Sequence, residues 1–193
     1  MLLLTEKAVW LEYEKTLLIA DVHLGKIEHF RKAGIGIPYL ATSVTQDRLE
    51  SLLKKMKPEH VIFLGDLFHS KMNHSFDQFK YLTDTYDKTE FHLVMGNHDI
   101  MPTNSYQELN IKTYSELIIG NLWLTHEPQD ELKEGLYNLA GHIHPGVKLK
   151  GKARQSMTLP CFYFGPQRGL LPAFGYFIGK SLIKIEKNSD TFA

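Results

Sequence analysis

Between residues 21 and 144 the chain carries seven side chains able to hold a metal ion, each after an apolar run: Asp21 and His23, Asp66, Asn97, His126, and His142 with His144. That many carboxylate, imidazole and amide donors exceed what one ion takes up. They suit two ions sharing a bridging carboxylate, each kept partly open for water and substrate. Two ions about 3.5–4 Å apart serve phosphoester hydrolysis, because the pair lowers the pKa of a bridging water and clamps the phosphoryl oxygens. The spacing of two in Asp21-Val22-His23 and in His142-Ile143-His144 would put each pair on one face of an extended segment. Either pair alone reads more readily as a surface strand or a self-satisfied loop. The ordered set does not.

Holding such a set together requires strands that end at one place. Val61-Ile62-Phe63-Leu64 is apolar throughout with a β-branched start, so it reads as a strand buried on both faces that stops at Gly65-Asp66. In open α/β sheets, ligands gather at the carboxyl ends of such strands. Residues 8–13 and 16–20 read as an opening hairpin whose second arm delivers Asp21. Residues 46–56 carry Leu49, Leu52, Leu53 and Met56 at helical spacing, which predicts a crossover helix and a βαβ unit. A second helix is expected over 76–86, and a strand over 91–95 ending in Gly96-Asn97-His98-Asp99. Residues 25–38, with glycines among Lys26, Arg31 and Lys32, read as an irregular functional loop. Leu117-Ile118-Ile119 and Leu122-Trp123-Leu124 flank a Gly120-Asn121 turn, a hairpin whose second arm reaches His126. Residues 147–187 alternate apolar runs with Gly and Pro and are expected to supply strands of a second sheet. The expected fold is α/β, two packed sheets with helices outside, as one domain over residues 1–193.

Bulk composition narrows the function classes. Equal counts of 22 basic and 22 acidic residues and a pI near 7.2 exclude the strongly basic signature of an obligate nucleic-acid binder and leave room for a local basic patch. A hydrophobic content of 43% over 193 residues is enough to bury a core. The single cysteine, Cys161, is expected to be a small buried hydrophobe and points to a reducing, cytoplasmic setting. Met1-Leu2-Leu3-Leu4 gives way to Thr5, Glu6 and Lys7, too soon for a signal segment or a membrane span, so no membrane partner is expected. His29, His60, His74 and His92 read as structural or exposed.

The blocks Asp21-Val22-His23, Gly65-Asp66, Gly96-Asn97-His98-Asp99, His126 and Gly141-His142-Ile143-His144 resemble, in kind and order, those of the calcineurin-like metallophosphoesterases. The resemblance implies an αββα sandwich in which Asp21, His23, Asp66 and His144 hold one ion and Asp66, Asn97, His126 and His142 the other, with Asp66 bridging. It makes His98 a substrate-side acid and Asp99 the residue that orients it, and an imidazole can donate a proton at physiological pH. Ala20-Asp21-Val22-His23-Leu24-Gly25-Lys26, Phe30-Arg31-Lys32-Ala33-Gly34, His69-Ser70, His144-Pro145 and Leu159-Pro160-Cys161-Phe162 resemble more narrowly the bacterial ligase-associated, DNA-damage-response phosphoesterases. That implies a DNA nuclease of repair, associated with an ATP-dependent DNA ligase and a helicase. Its cofactors would be two divalent ions, manganese first, with iron, cobalt or zinc as alternatives. Arg31 and His69 are the expected substrate contacts. The chain departs from the narrower pattern after Gly175, where Tyr176-Phe177-Ile178-Gly179-Lys180 replaces a Thr-Gly-Gly-like ending.

Two further readings stand beside this one: a small-molecule phosphoesterase using the same site, and a scaffold that kept the sandwich and lost catalysis, against which His98 argues. The nucleic-acid reading draws on Lys148, Lys150, Lys152 and Arg154, which on one extended arm would project from a single face and could follow a phosphate backbone. Edge lysines that deter strand pairing read equally well from the same residues.

Overall fold

Strand β4, His60–Leu64, shows why an unbroken apolar run lies at the middle of this molecule. Successive side chains point to opposite faces. Val61 and Phe63 join Leu17, Ile19, Phe91 and Leu93 in a core beneath the helices, whereas Ile62 and Leu64 join Leu18, Val94, Leu124 and Leu139 between two sheets. With both faces covered, polar side chains are confined to the strand ends. In the computed structural model, which describes residues 1–37, 43–69, 74–152 and 155–193, β4 lies between β3 (Thr16–Ala20) and β5 (Glu90–Val94), parallel to both. β1 (Leu2–Leu4) and β2 (Ala8–Leu11) extend this sheet antiparallel on one side, and β6 (Ile111–Tyr114) extends it parallel on the other.

Each parallel step needs a crossover. Helices α2 (Val44–Met56), α3 (His74–Thr85) and α4 (Thr103–Glu108) supply the three from β3 to β6. Leu49, Leu52 and Leu53 of α2 are buried, and the helix stops where Lys57 turns left-handed, its N–H closing on Leu53 O. The second sheet has the order β15 (Asp190–Phe192), β12 (Phe162–Phe164), β13 (Arg168–Leu170), β9 (Tyr137–Ala140), β8 (Leu122–Thr125), β7 (Leu117–Ile119). β10 (Pro145–Lys150) pairs with β11 (Ser156–Pro160) and β14 (Ser181–Leu182) in a small third sheet. The described helices all precede β6, and α2, α3 and α4 cover the first sheet. On the far face of the second sheet, Ala140, Tyr163 and Leu170 pack with Ile143 and Ile183. No described helix is long and apolar enough to cross a membrane. Cys161 is buried and free.

Three expectations need correction. The stretch read as an irregular loop contains helix α1, Lys26–Lys32; of its residues only Ile27 is buried, so it has no apolar stripe by which to announce itself. Pro38 lies outside the described residues. The basic row is not one extended arm: β10 ends at Lys150, and Gly151 N–H to Gln155 O (2.9 Å) and Gln155 N–H to Lys152 O (3.3 Å) turn the chain. Lys148 and Lys150 share a face and are exposed, Lys152 sits in the turn, and Arg154 lies outside the described residues. The stretch 147–187 serves two sheets rather than one.

After β13 the chain returns to the first sheet as a short strap. Phe174 N–H donates to Ala20 O (2.8 Å) and Gly175 N–H to Asp21 O (3.0 Å). Lys7 Nζ donates to the carbonyls of Ala173 and Gly175, and Arg48 donates to that of Phe174 while lying 4.2 Å over its ring. Burial, with Arg48 and Lys180 nearby, pushes the Lys7 ammonium down to about 7. The unfolded chain keeps this proton up to about pH 10.4, so between about pH 7 and 10 it binds more protons than the folded chain. The Lys7 contribution to stability should therefore rise with pH in that window, by at most about 1.4 kcal/mol per pH unit, and be flat well below pH 7, where this group is protonated in both states. Urea unfolding from pH 7 to 10 should show this rise in the wild type and a flatter profile in Lys7→Met; identical profiles would count against a depressed Lys7.

Candidate metal centre

The carboxyl ends of β3, β4, β5, β8 and β9 converge. Beyond the strands the loops keep the ladder going: Asp21 N–H donates to Gly65 O (3.3 Å), His23 N–H to Asp66 O (2.8 Å), and Gly141 N–H to His126 O (3.0 Å). Glycine is required where backbone meets donor: a Cβ on Gly141 would stand 2.6 Å from Asp21 Oδ2, and one on Gly65 would collide with the His126 ring.

Asp21, His23, Asp66, His142 and His144 all have left-handed backbone, with φ of 52°, 48°, 53°, 64° and 52°. Asp and His tolerate this region better than most residues, but at a cost of about 1–2 kcal/mol each. The pairs at spacing two are thus presented by left-handed turns and not by the extended backbone expected. The difference matters for His142 and His144. The His142 ring lies 4.9 Å from that of His126, the His144 ring 5.6 Å from that of His23, so the two imidazoles go to different sides of the centre.

Two donor groups result, Asp21 with His23 and His144, and Asp21 with Asp66 and His126. His144 Nε2 is 3.3 Å from Asp21 Oδ1. Asp66 reaches both sides: Oδ2 lies 3.4 Å from His23 Nε2 and Oδ1 lies 3.5 Å from His126 Nε2. His126 Nε2 is also 3.0 Å from Asn97 Oδ1 and 3.1 Å from His142 Nδ1. Asp21, with no exposed surface, accepts the His142 N–H through both oxygens, at 2.9 and 3.2 Å.

These contacts fit a cation. His126 Nδ1 is 3.0 Å from the Leu64 carbonyl, a bond that needs the proton on Nδ1 and leaves Nε2 a lone pair. That lone pair faces the oxygens of Asn97 and Asp66, three acceptors around one point. His23 Nδ1, His23 Nε2 and His144 Nε2 are buried without a hydrogen-bond partner, an arrangement that is costly unless something else satisfies them. Burial first, then Lys26, pushes His23 down to about 2, so it is held as the neutral imidazole that ligates metals.

Around this centre runs a rim of rings. His98 is exposed; its ring stacks on His69 (5.6 Å, 28°) and stands edge-on to His23 (5.3 Å), while its N–H donates to Asp66 Oδ1 (2.9 Å). The His69 ring meets His29 at 5.2 Å, and Phe30 meets Phe177 at 6.0 Å, so part of the divergent segment after Gly175 borders the site. Burial first, then Lys26 and His29, pushes His69 down to about 4. Arg31 sits exposed in the last turn of α1. Asp99 does not turn toward the His98 ring: its carboxylate accepts N–H bonds from Asp66 (2.7 Å), Leu67 (3.0 Å) and Gly96 (2.9 Å), tying two ligand loops together. The side chain of His74 lies outside the described residues.

Sequence reasoning gave no role to several residues that shape this region. Lys26, half-buried, feels the Asp66 and Asp21 carboxylates. His29 joins the rim. Asn138, fully buried, donates to Trp123 O (3.0 Å) and Thr125 Oγ1 (2.9 Å) and accepts from Gln129 N–H (3.0 Å), fixing the loop that carries His126. Its signal, a polar residue inside the run Tyr137-Asn138-Leu139-Ala140, was present in the chain.

A family model described as calcineurin-like phosphoesterase matches residues 14–160. The crystal structure of the Pseudomonas putida nuclease MPE resembles this fold with a TM-score of 0.81 and 31% identity, covering 97% of this chain and 88% of that one. Yfce, a phosphoesterase from E. coli, compares at a TM-score of 0.45 and 14% identity over 82% of this chain and 79% of its own, too weak a likeness to argue from. No curated protein matches.

Proposed function

The chain belongs to the calcineurin-like phosphoesterases and is a metal-dependent phosphoester hydrolase; from that premise we propose that it holds two divalent ions and cleaves phosphodiester bonds in DNA. The observation that carries the two-ion reading is the placement of Asp66, with one oxygen toward His23 and the other toward His126. Asp21, His23, Asp66 and His144 hold the first ion, and Asp66, Asn97, His126 and His142 the second, manganese being the first choice among Mn, Fe, Co and Zn. Bound there, the ions supply charge that polarises the phosphoryl oxygens and lowers the pKa of the attacking water.

The remaining work falls to the protein. His98, exposed above the centre, hands a proton to the leaving oxygen. His69 stacks beneath it and, neutral near pH 7, adds no competing charge. Asp99 ties the turn bearing Asn97 to the loop bearing Asp66 through the N–H groups of Gly96, Asp66 and Leu67. Lys26 and Arg31 draw the phosphate in, and an open groove of about 440 Å³ beside Asn97, His126 and Glu127 leaves room for a chain to pass. Nucleic acid is favoured over a small molecule by the likeness to a nuclease, by the ring-lined rim, and by exposed Lys148 and Lys150 on the strand that follows His144. The resemblance stated earlier extends the reading to DNA repair in the cytoplasm beside an ATP-dependent ligase and a helicase, with residues 1–193 as one domain.

The test is plasmid nicking beside chromogenic diesters and monoesters, with each metal in turn. DNA affinity should fall with salt at a slope of about −0.7 to −0.9 per phosphate engaged. Replacing Lys148 and Lys150 with serine should flatten that slope and leave diester hydrolysis unchanged. An unaltered slope removes β10 from the interface. No nicking with any of the metals, together with turnover of small esters, would replace DNA by a small-molecule substrate.

A further inference from the structure

The opposite edge of the first sheet holds a second set of donors. β4 and β5 pair in parallel with His60 opposite Glu90 and Ile62 opposite His92, and period-two alternation puts His60, Glu90 and His92 on one face at the start of the strands. His60 Nδ1 and His92 Nε2 are 3.3 Å apart; Glu90 Oε2 lies 3.6 Å from His92 Nε2 and 3.8 Å from His60 Nδ1. An ion about 2.0–2.1 Å from each donor in tetrahedral geometry needs donors separated by about 3.3–3.4 Å. The imidazole pair already has that spacing, and the exposed carboxylate needs only a small rotation to reach it.

The surroundings agree. His92 Nδ1 lies 3.3 Å from the Tyr114 hydroxyl oxygen, a partner of the kind that orients a ligating ring and leaves Nε2 for a metal. A cavity of about 390 Å³ opens against both imidazoles, with Glu14 on its wall, so solvent can reach the open coordination position. One neighbour competes: Lys112 Nζ is 2.8 Å from Glu90 Oε2. Four residue steps along β4 carry the chain from His60 to Leu64, about 13 Å at the usual strand rise, so this cluster and the phosphoesterase centre cannot share an ion.

We propose that His60, Glu90 and His92 form a separate divalent transition-metal site of the His₂Glu type that zinc prefers, joining β4 to β5 at their amino ends. Full-length protein dialysed against micromolar Zn²⁺ should retain one more ion per chain, by elemental analysis, than either His60→Ala or His92→Gln. The latter keeps a group able to bond Tyr114. Diester hydrolysis should be unchanged in both variants, which shows that the catalytic ions and the fold remain. Lys112→Met, by freeing the Glu90 oxygen, should tighten the additional ion several-fold. Equal ion counts in wild type and both variants would overturn the site, as would retention of the extra ion only at millimolar zinc.

Discussion

Asp66→Ala should bind at least one ion fewer than the wild type and lose more than about 10³-fold in turnover, the equivalent of several kcal/mol of charge stabilisation. The reason lies in how the two central carboxylates differ. Asp21 approaches donors on both sides through the same oxygen, Oδ1, which lies 3.3 Å from His144 Nε2 and 4.0 Å from His126 Nδ1. The Asp66 oxygens diverge, one toward each group of imidazoles. Removing Asp66 therefore takes a carboxylate from beside both His23 and His126 and leaves Asp21 alone between them. Elemental analysis of the variant decides the matter, because two fully bound ions would refute the bridging assignment even if turnover fell.

For His98→Ala the expected result is different in kind: metal content intact and turnover lowered by about 10²–10⁴-fold, the usual range for general acid catalysis. His98 contributes its backbone N–H to Asp66, which alanine preserves, and its ring stands outside the donor groups. The loss should shrink for nitrophenolate, which leaves without a proton, and be largest for an alkoxide leaving group. An equal loss with both would make His98 a positioning residue. Asp99→Asn provides the contrast. Its carboxylate braces three backbone N–H groups of the ligand loops, so its effect should fall on metal affinity and not on leaving-group dependence.

Much of this molecule was legible in the chain because burial writes itself as periodicity. Val61 to Leu64 had to be a strand covered on both sides, and Leu49, Leu52 and Leu53 had to face a core; both are so. Strand ends then located Asp21, Asp66, Asn97 and His126 without reference to any contact. What stayed hidden has physical causes. Helix α1 buries one side chain, so it leaves no stripe. Asp99 follows His98 directly and was read as its partner, but the turn after β5 folds the carboxylate back under Asp66. His60 and His92 looked inert because their proximity arises from the register of β4 on β5, which no local spacing encodes. The same holds for Lys26, whose role depends on α1 lying against the centre.

The strap at residues 173–175 also bears on how the protein is made. Residues 1–114, with all six strands of the first sheet, leave the ribosome before β9, the two histidines beyond it and the strap do. Asp21 waits for His142, His144 and Gly175 until the end, and contacts so distant along the chain form slowly because loop closure precedes any gain from them. Until then Val9, Leu11, Leu18, Ile62, Leu64 and Val94 form an apolar sheet face with no second sheet to cover it. The nascent chain is thus most exposed to aggregation after its first half is finished, and that interval closes only when the second sheet docks.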